Sequence, residues 1–148
     1  MDENRSAPLR VFVDTNVLFS ADHSSQSAPG RILQLHRDGY IVIIVSQQVL
    51  DELVRNLREK LPSGLPVLQR LLNARPPEII ADPPQTDVDA LAEAVNFDDA
   101  PIVAAALAAE ADYFITGDRA LREQAAGLST RFRVASPREL LDHLESAP

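Results

Sequence analysis

Two nearly continuous apolar runs constrain this chain more than any other feature. LRVFVD, residues 9–14, and YIVIIV, residues 40–45, lack the polar–apolar alternation of a strand with one solvated face. A run of this kind suits a strand covered on both faces, as in a parallel sheet between helices. Helical segments follow both runs. Residues 31–38 read as a helix stopped by Gly39. Ser46 is placed to cap a longer helix over residues 47–61, with Leu50, Leu53, Val54, Leu57 and Leu61 on one arc. Between the first run and residue 31, the Ser-rich stretch 21–30 is expected to form a surface loop or a frayed helix.

The alternation continues to the end of the chain. Pro62 to Pro66 break the long helix, and residues 65–74 offer another. Residues 78–81 form a short third strand and residues 87–95 a helix. A further helix opens at Asp99, with Pro101 in its first turn where a missing N–H costs nothing, and runs to about residue 111. YFIT, residues 113–116, is the fourth strand, followed by a short helix ending near Gly127. Residues 131–135 are the fifth strand. Ser136-Pro137-Arg138-Glu139 is a capping box that opens the last helix. Strands alternating with helices predict a doubly wound α/β fold with a mainly parallel sheet. With 148 residues and 45% hydrophobic content, one domain over 1–148 is expected, its core at about 9–145. The tails, residues 1–8 and 146–148, are expected to fray.

Composition removes several function classes. There is no cysteine, which excludes disulfides and thiolate metal sites and fits a reducing cytoplasm. The first residues contain no apolar signal core, and no later run is long enough to cross a bilayer, so a cytoplasmic protein without membrane contact is expected. The net charge of −8 counts against a passive nucleic-acid binder that works by neutralising phosphates. Aromatics make up 5% and there is no Trp, which disfavours stacking platforms of the single-strand-binding kind. His23, His36 and His143 are scattered without zinc-type spacing and are expected at the surface.

The chemistry-bearing candidates are carboxylates. Asp14 ends the first strand, and Asp118 follows the fourth after a Thr-Gly turn. Ligands in such sheets bind beyond the carboxyl ends of the strands, where strand order reverses. Asp98 and Asp99 compete for one position at a helix start, and Asp51 and Glu52 flank the apolar arc of their helix about equally. Local periodicity chooses in neither case. Each acid also has an ordinary structural use, as a helix cap, a turn residue or a solvated helix face. Clustered acids without a basic partner call for a cation. One or two divalent ions would supply it, and metal-assisted hydrolysis of a phosphodiester is the chemistry this suggests.

VFVDTNVL, residues 11–18, resembles the opening motif of PIN-domain ribonucleases, a family that includes VapC-type toxins. VSQQVLDELVRNL resembles the family's second motif, with Ser46 and Glu52 at the matching positions. DDAPIVAAALAAEADYFITGD resembles the third and fourth. There the acid lies three residues before an aliphatic one, which selects Asp99 with Ile102, and the last acid matches Asp118. VASPRELLDHL resembles the closing strand and helix. The likeness runs from about residue 10 to residue 144.

The resemblance implies a three-layer fold with a five-stranded parallel sheet in the order 3-2-1-4-5. It implies a metal-dependent endoribonuclease using Mg²⁺ or Mn²⁺, with Asp14, Glu52, Asp99 and Asp118 as catalytic metal ligands. Asn16 and Thr116 match supporting polar residues, and Arg119 and Arg122 follow as candidate RNA contacts. RNA is the implied substrate, and a small antitoxin protein and a homodimer are implied partners. An apparent extra helix, TDVDALAEAV, precedes the third motif and departs from compact toxin-type members.

Three rivals stand beside this reading. A non-catalytic PIN-fold module that binds nucleic acid or acts as a scaffold would be expected to lack one of the four acids. An aspartyl-phosphate enzyme would want an Asp where Asn16 stands. A dinucleotide-binding domain would want a glycine-rich turn after the first strand.

Overall fold

The computed structural model describes residues 7–23, 26–128 and 131–146, the side chains of Asp22 and His23 excepted. The expectations for residues 1–6 and 147–148, and for the His23 side chain, fall outside it. Five strands form one parallel sheet: β1 (Leu9–Val13), β2 (Ile41–Ser46), β3 (Glu78–Ile80), β4 (Tyr113–Ile115) and β5 (Arg133–Ala135). Their order is β3-β2-β1-β4-β5, as the resemblance implied. The helices are α1 (Thr15–His23), α2 (Ala28–Arg37), α3 (Gln47–Lys60), α4 (Gly64–Ala74), α5 (Gln85–Asp89), α6 (Ala100–Ala108), α7 (Arg119–Ala125) and α8 (Pro137–Ser146).

The chain winds outward twice from the centre. From β1 it moves through β2 to β3, and then crosses back to β4 and β5. Right-handed crossovers put α1 to α4 on one face and α5 to α7 on the other. In keeping with this, α1 packs on α2, α3 and α4, while α5 packs on α6. The final helix α8 returns to pack on α2. Strand order reverses between β1 and β4, so the crevice for a ligand opens there.

Burial explains the apolar runs. Phe12 faces Ile44 on one neighbour and Phe114 on the other, and all three are fully buried. The Phe12 and Phe114 rings lie 6.0 Å apart in a tilted pair. On α6, Val103, Ala104, Ala105 and Ala106 are all buried, so this helix is apolar around most of its circumference and is enclosed. No helix among the described residues is long and apolar enough to cross a membrane.

Local grammar worked at several junctions. Ser46 caps α3 by accepting from the Val49 N–H at 3.3 Å. Gly39, at φ +87°, closes α2: its N–H donates to the His36 carbonyl and that of Tyr40 to the Leu35 carbonyl, a Schellman ending. In the capping box, the Ser136 N–H donates to Glu139 at 2.8 Å and the Glu139 N–H to the Ser136 hydroxyl at 3.1 Å.

The stretch 21–30, expected as a surface loop or a frayed helix, ends α1 at residues 21–23 and opens α2 at residues 28–30, where Ser27 caps through the Gly30 N–H and Pro29 sits in the first turn. Three expectations need correction. Pro66 lies inside the first turn of α4, where it breaks nothing. The helix expected over 87–95 is only α5, after which Leu91, Ala92 and Ala94 donate to carbonyls three residues back in tighter turns. Ser146 is not frayed; it ends α8, with its hydroxyl donating to the His143 carbonyl.

His36 overturns the surface expectation more sharply. It is 1% exposed. The Ile43 N–H donates to its Nδ1 at 3.0 Å, which leaves Nε2 to donate to the Arg75 carbonyl at 3.0 Å. Burial lowers its pKa, so it is a neutral structural ring tying α2 to β2 and to the end of α4.

Candidate active site

Asp14 is the first residue beyond β1. Its N–H donates to the Ile115 carbonyl at 3.0 Å, extending the β1–β4 ladder by one step and fixing the carboxylate at the reversal point. The side chain is not spent as a simple helix cap. Its Oδ2 accepts from the Thr116 hydroxyl at 2.8 Å, and Thr116 is fully buried. The same hydroxyl accepts from the Asp118 N–H at 3.1 Å. Thr116 therefore bridges the two strand exits, with one oxygen holding Asp14 and shaping the turn to Asp118.

Asp118 keeps part of its ordinary role. It caps α7 by accepting from the Leu121 N–H at 3.2 Å. Arg122 donates from Nη1 to the Thr116 carbonyl at 3.0 Å, with Nε 3.8 Å from Glu139. It thus braces this turn. Arg119 is 85% exposed and pairs with Glu123 one helical turn on, at 3.3 Å.

Glu52 reaches the same crevice from α3. Its Oε2 accepts from the Thr15 hydroxyl at 3.0 Å, and its Oε1 from the Gln48 amide at 3.1 Å. Asp51 is exposed and accepts from Gln47 instead. The contact across 37 residues thus separates two acids that helical periodicity could not. Sequence reading missed Thr15 and Gln48 as partners. A hydroxyl beside Asp14 and an amide one turn before Glu52 were the available signals. Asn16 is exposed.

Asp99 precedes α6 at the cap position but makes no side-chain capping bond. Its carboxylate is half-buried and accepts a hydrogen bond from the Asn96 side chain, whereas Asp98 is exposed.

Electrostatics joins the four. Burial raises the Asp14 pKa, the Thr116 and Thr15 hydrogen bonds oppose that, and Asp99 and Glu52 raise it further. Burial also raises that of Asp99, and Asp118, Asp98 and Glu52 add to it, against the Asn96 hydrogen bond. Both carboxylates sit in a field that favours added positive charge, whether a proton or a metal ion.

Hard oxygen donors in this field suit Mg²⁺ or Mn²⁺. Among the described residues, no three His, Cys, Asp or Glu side chains stand close enough to enclose one ion. The arrangement fits an ion held by one or two carboxylates and several waters, the mode Mg²⁺ prefers, and does not fit a protein cage.

A family model for the PIN domain matches residues 10–120. No curated protein matches significantly. Among solved structures, PAE2754 from Pyrobaculum aerophilum superposes with a TM-score of 0.67 at 17% identity, covering 98% of this chain and 96% of that one. VapBC2 from Rickettsia felis, solved bound to a DNA fragment from its promoter, gives 0.61 at 17% identity, covering 86% and 98%. Likeness at that identity speaks to the fold. The family model spans three-quarters of the sequence and includes all four acids. The chain belongs to the PIN-domain family, whose members are generally nucleases.

Proposed function

We propose that this protein is a divalent-metal-dependent endoribonuclease whose working groups are Asp14, Glu52, Asp99 and Asp118. The observation that carries the reading is the crowding of these acids at the carboxyl ends of β1 and β4: Asp14 and Asp99 are both driven toward protonation by burial and by other carboxylates. A fold that needed only stability would not keep charge in that state.

Asp14 and Asp99 are the first candidates to hold Mg²⁺ or Mn²⁺, with Glu52 and Asp118 completing the acidic field. Such an ion supplies Lewis acidity: it offsets phosphate charge and makes water nucleophilic at neutral pH. The chain supplies the orientation. Thr116 holds Oδ2 of Asp14, and the Thr15 backbone N–H also donates to this carboxylate, which fixes its orientation toward an ion or its water. Thr15 and Gln48 hold Glu52 from two sides. Arg119, far more exposed than Arg122, is the better candidate for a phosphate contact. A small antitoxin partner is carried over from the VapBC2 neighbour, and a homodimer from the family resemblance alone.

One observation favours a second reading, a PIN fold that engages nucleic acid without cleaving it: among the described residues, no three potential ligands enclose a single site. Calorimetric titration with Mn²⁺ and cleavage of a mixed structured RNA, wild type against Asp14→Asn, separate the two. Loss of both metal binding and cleavage in the variant supports the nuclease. Wild-type protein that binds no Mn²⁺ and cuts nothing supports the second reading.

A further inference from the structure

Phe97 stands two residues before Asp99 and is 88% exposed, the most exposed of the large hydrophobic side chains among the described residues. Folding buries such rings when it can. This one rims a cleft of about 360 Å³, within the range of roughly 300–1,000 Å³ typical of small-ligand pockets. Glu52 lines the same cleft, so it opens directly beside the acidic site.

The lining states what could enter. No cation contributes to it, while Glu52 and Asp98 do. A phosphate would be repelled, so the guest is uncharged or positive. Val88, Pro101 and Phe97 offer apolar surface. Gln48 and Gln85 also face the cleft, and both amide nitrogens already donate to carboxylates, to Glu52 at 3.1 Å and to Asp89 at 2.8 Å. A carboxylate partner takes one N–H of each amide and fixes which end is nitrogen, so each Gln keeps its carbonyl oxygen and one further N–H. With the Glu52 and Asp98 carboxylates added, the cleft combines an open aromatic face with an edge on which acceptors outnumber donors.

We infer that this cleft receives one unpaired nucleobase of the RNA strand, stacked on Phe97, while the adjoining phosphate reaches the acids only where a divalent ion offsets their charge. The inference rests on the nuclease reading above and adds the subsite that reads the substrate. Base stacking on an aromatic ring suits any base. The acceptor-rich edge does not, because cytosine and adenine present amino groups, and Asp or Glu pairs naturally with the cytosine N4 amine. Uracil presents carbonyls to either side of its single N–H. The subsite therefore prefers amino-bearing bases to uracil. A single ring of this kind differs from the multi-aromatic platforms that the low aromatic content disfavours.

The chain has no Trp, so Phe97→Trp installs a sole indole at a position exposed enough to tolerate it. Its emission is read on rapid mixing with short single-stranded oligocytidylate, oligouridylate and duplex RNA in Mg²⁺, with cleavage of the same RNAs by wild type, Phe97→Ala and Phe97→Tyr alongside. Expected are quenching by single strands, stronger for cytidylate than uridylate and absent for duplex. For Phe97→Ala a KM about 5–150-fold higher is expected, with kcat little changed and Phe97→Tyr near wild type. Wild-type cleavage with unmoved emission and an unaffected Phe97→Ala overturns the subsite and leaves the nuclease standing. Quenching without any cleavage upholds the base subsite and overturns the nuclease. Emission that shifts with protein concentration alone marks a contact between copies of the chain and overturns the inference.

Discussion

Acids gather at both ends of the sheet, and the two ends treat them in opposite ways. At the amino end, Glu78 opens β3 and meets Arg10 of β1 through two parallel bonds, Nη1 to Oε1 at 2.6 Å and Nη2 to Oε2 at 3.0 Å. Arg10 also donates to the Ala109 carbonyl, and its backbone N–H to Asp112 at 2.8 Å. Arg10 holds the Glu78 pKa below the ordinary value. At the carboxyl end, burial and neighbouring acids push Asp14 and Asp99 above it. The amino end satisfies its charges internally and so stabilises the fold. At the carboxyl end burial and neighbouring acids work against the charge, which is why it is the candidate binding site.

The largest effect expected from that contrast is a pair of opposite responses to one substitution. Asp14→Asn keeps an oxygen to accept from Thr116 but removes the charge. Cleavage should fall on the order of 10²–10³-fold, the scale of losing one preorganised electrostatic group. Metal-free thermal stability should rise, with a shift of about 2–4 °C corresponding to roughly 1 kcal/mol of relieved burial and repulsion. A melting scan in EDTA and an RNA cleavage assay check the two halves. A variant that melts lower and still cleaves would erase the distinction between the two ends.

Thr116→Val comes next. It removes the hydroxyl that orients Asp14 and receives the Asp118 N–H while keeping the buried shape. Losing a group that orients a metal-holding carboxylate typically costs 10–100-fold in metal affinity or activity. Mn²⁺ calorimetry with cleavage rates tests this, and equal values for variant and wild type would reduce Thr116 to strand-end packing.

The fold was legible because buried parallel strands lose their alternation and because caps are local. Gly39, Ser46 and the Ser136–Glu139 box need only a few neighbouring residues to act. What local pattern could not reach depends on long separations. Glu52 over Asp51 rested on the family resemblance, and the structure adds that Glu52 meets Thr15 across 37 residues; the buried His36 depends on Ile43 and on Arg75, 39 residues away. Asp99 over Asp98 rested on family resemblance, and the structure adds that Asp99 is half-buried while Asp98 is exposed. The hydrogen bonds of Thr15 and Gln48 to Glu52 were missed because neither residue type signals a site until the fold brings a carboxylate to it. Phe97 was invisible for a related reason: exposure is not a property of sequence.

pH separates the two ends by sign. Asp14 and Asp99 are raised from the ordinary value of 3.8, so the folded state holds their protons to higher pH than the unfolded chain does. Their burden on stability is absent below that value and grows as pH rises through the folded-state values. Glu78 is lowered, so its contribution is present above the ordinary carboxylate range and is lost as pH falls through its folded-state value. Melting curves against pH in EDTA for wild type and Asp14→Asn should coincide in acid and diverge as pH rises, the variant being the more stable. Mg²⁺ should close the gap by stabilising only the wild type. Parallel curves at every pH would show that Asp14 carries no burden.

The smallest effect tests the quiet end. Arg10→Met keeps most of the side-chain length and removes the charge shared with Glu78. The two side chains are 34% and 39% exposed, so solvent screens the pair and the loss should be no more than about 1 kcal/mol, a few degrees in a melting scan. Glu78 would return toward ordinary titration, and stability would lose part of its dependence on acid pH. Cleavage and Mn²⁺ affinity should stay at wild-type values, because Arg10 precedes Asp14 by most of β1 and its partners, Glu78, Ala109 and Asp112, are none of the four acids. A Met variant that folds normally but loses metal affinity would mean that the ends communicate through β1, and that the acids at the carboxyl end are held in place by the pairing at the other.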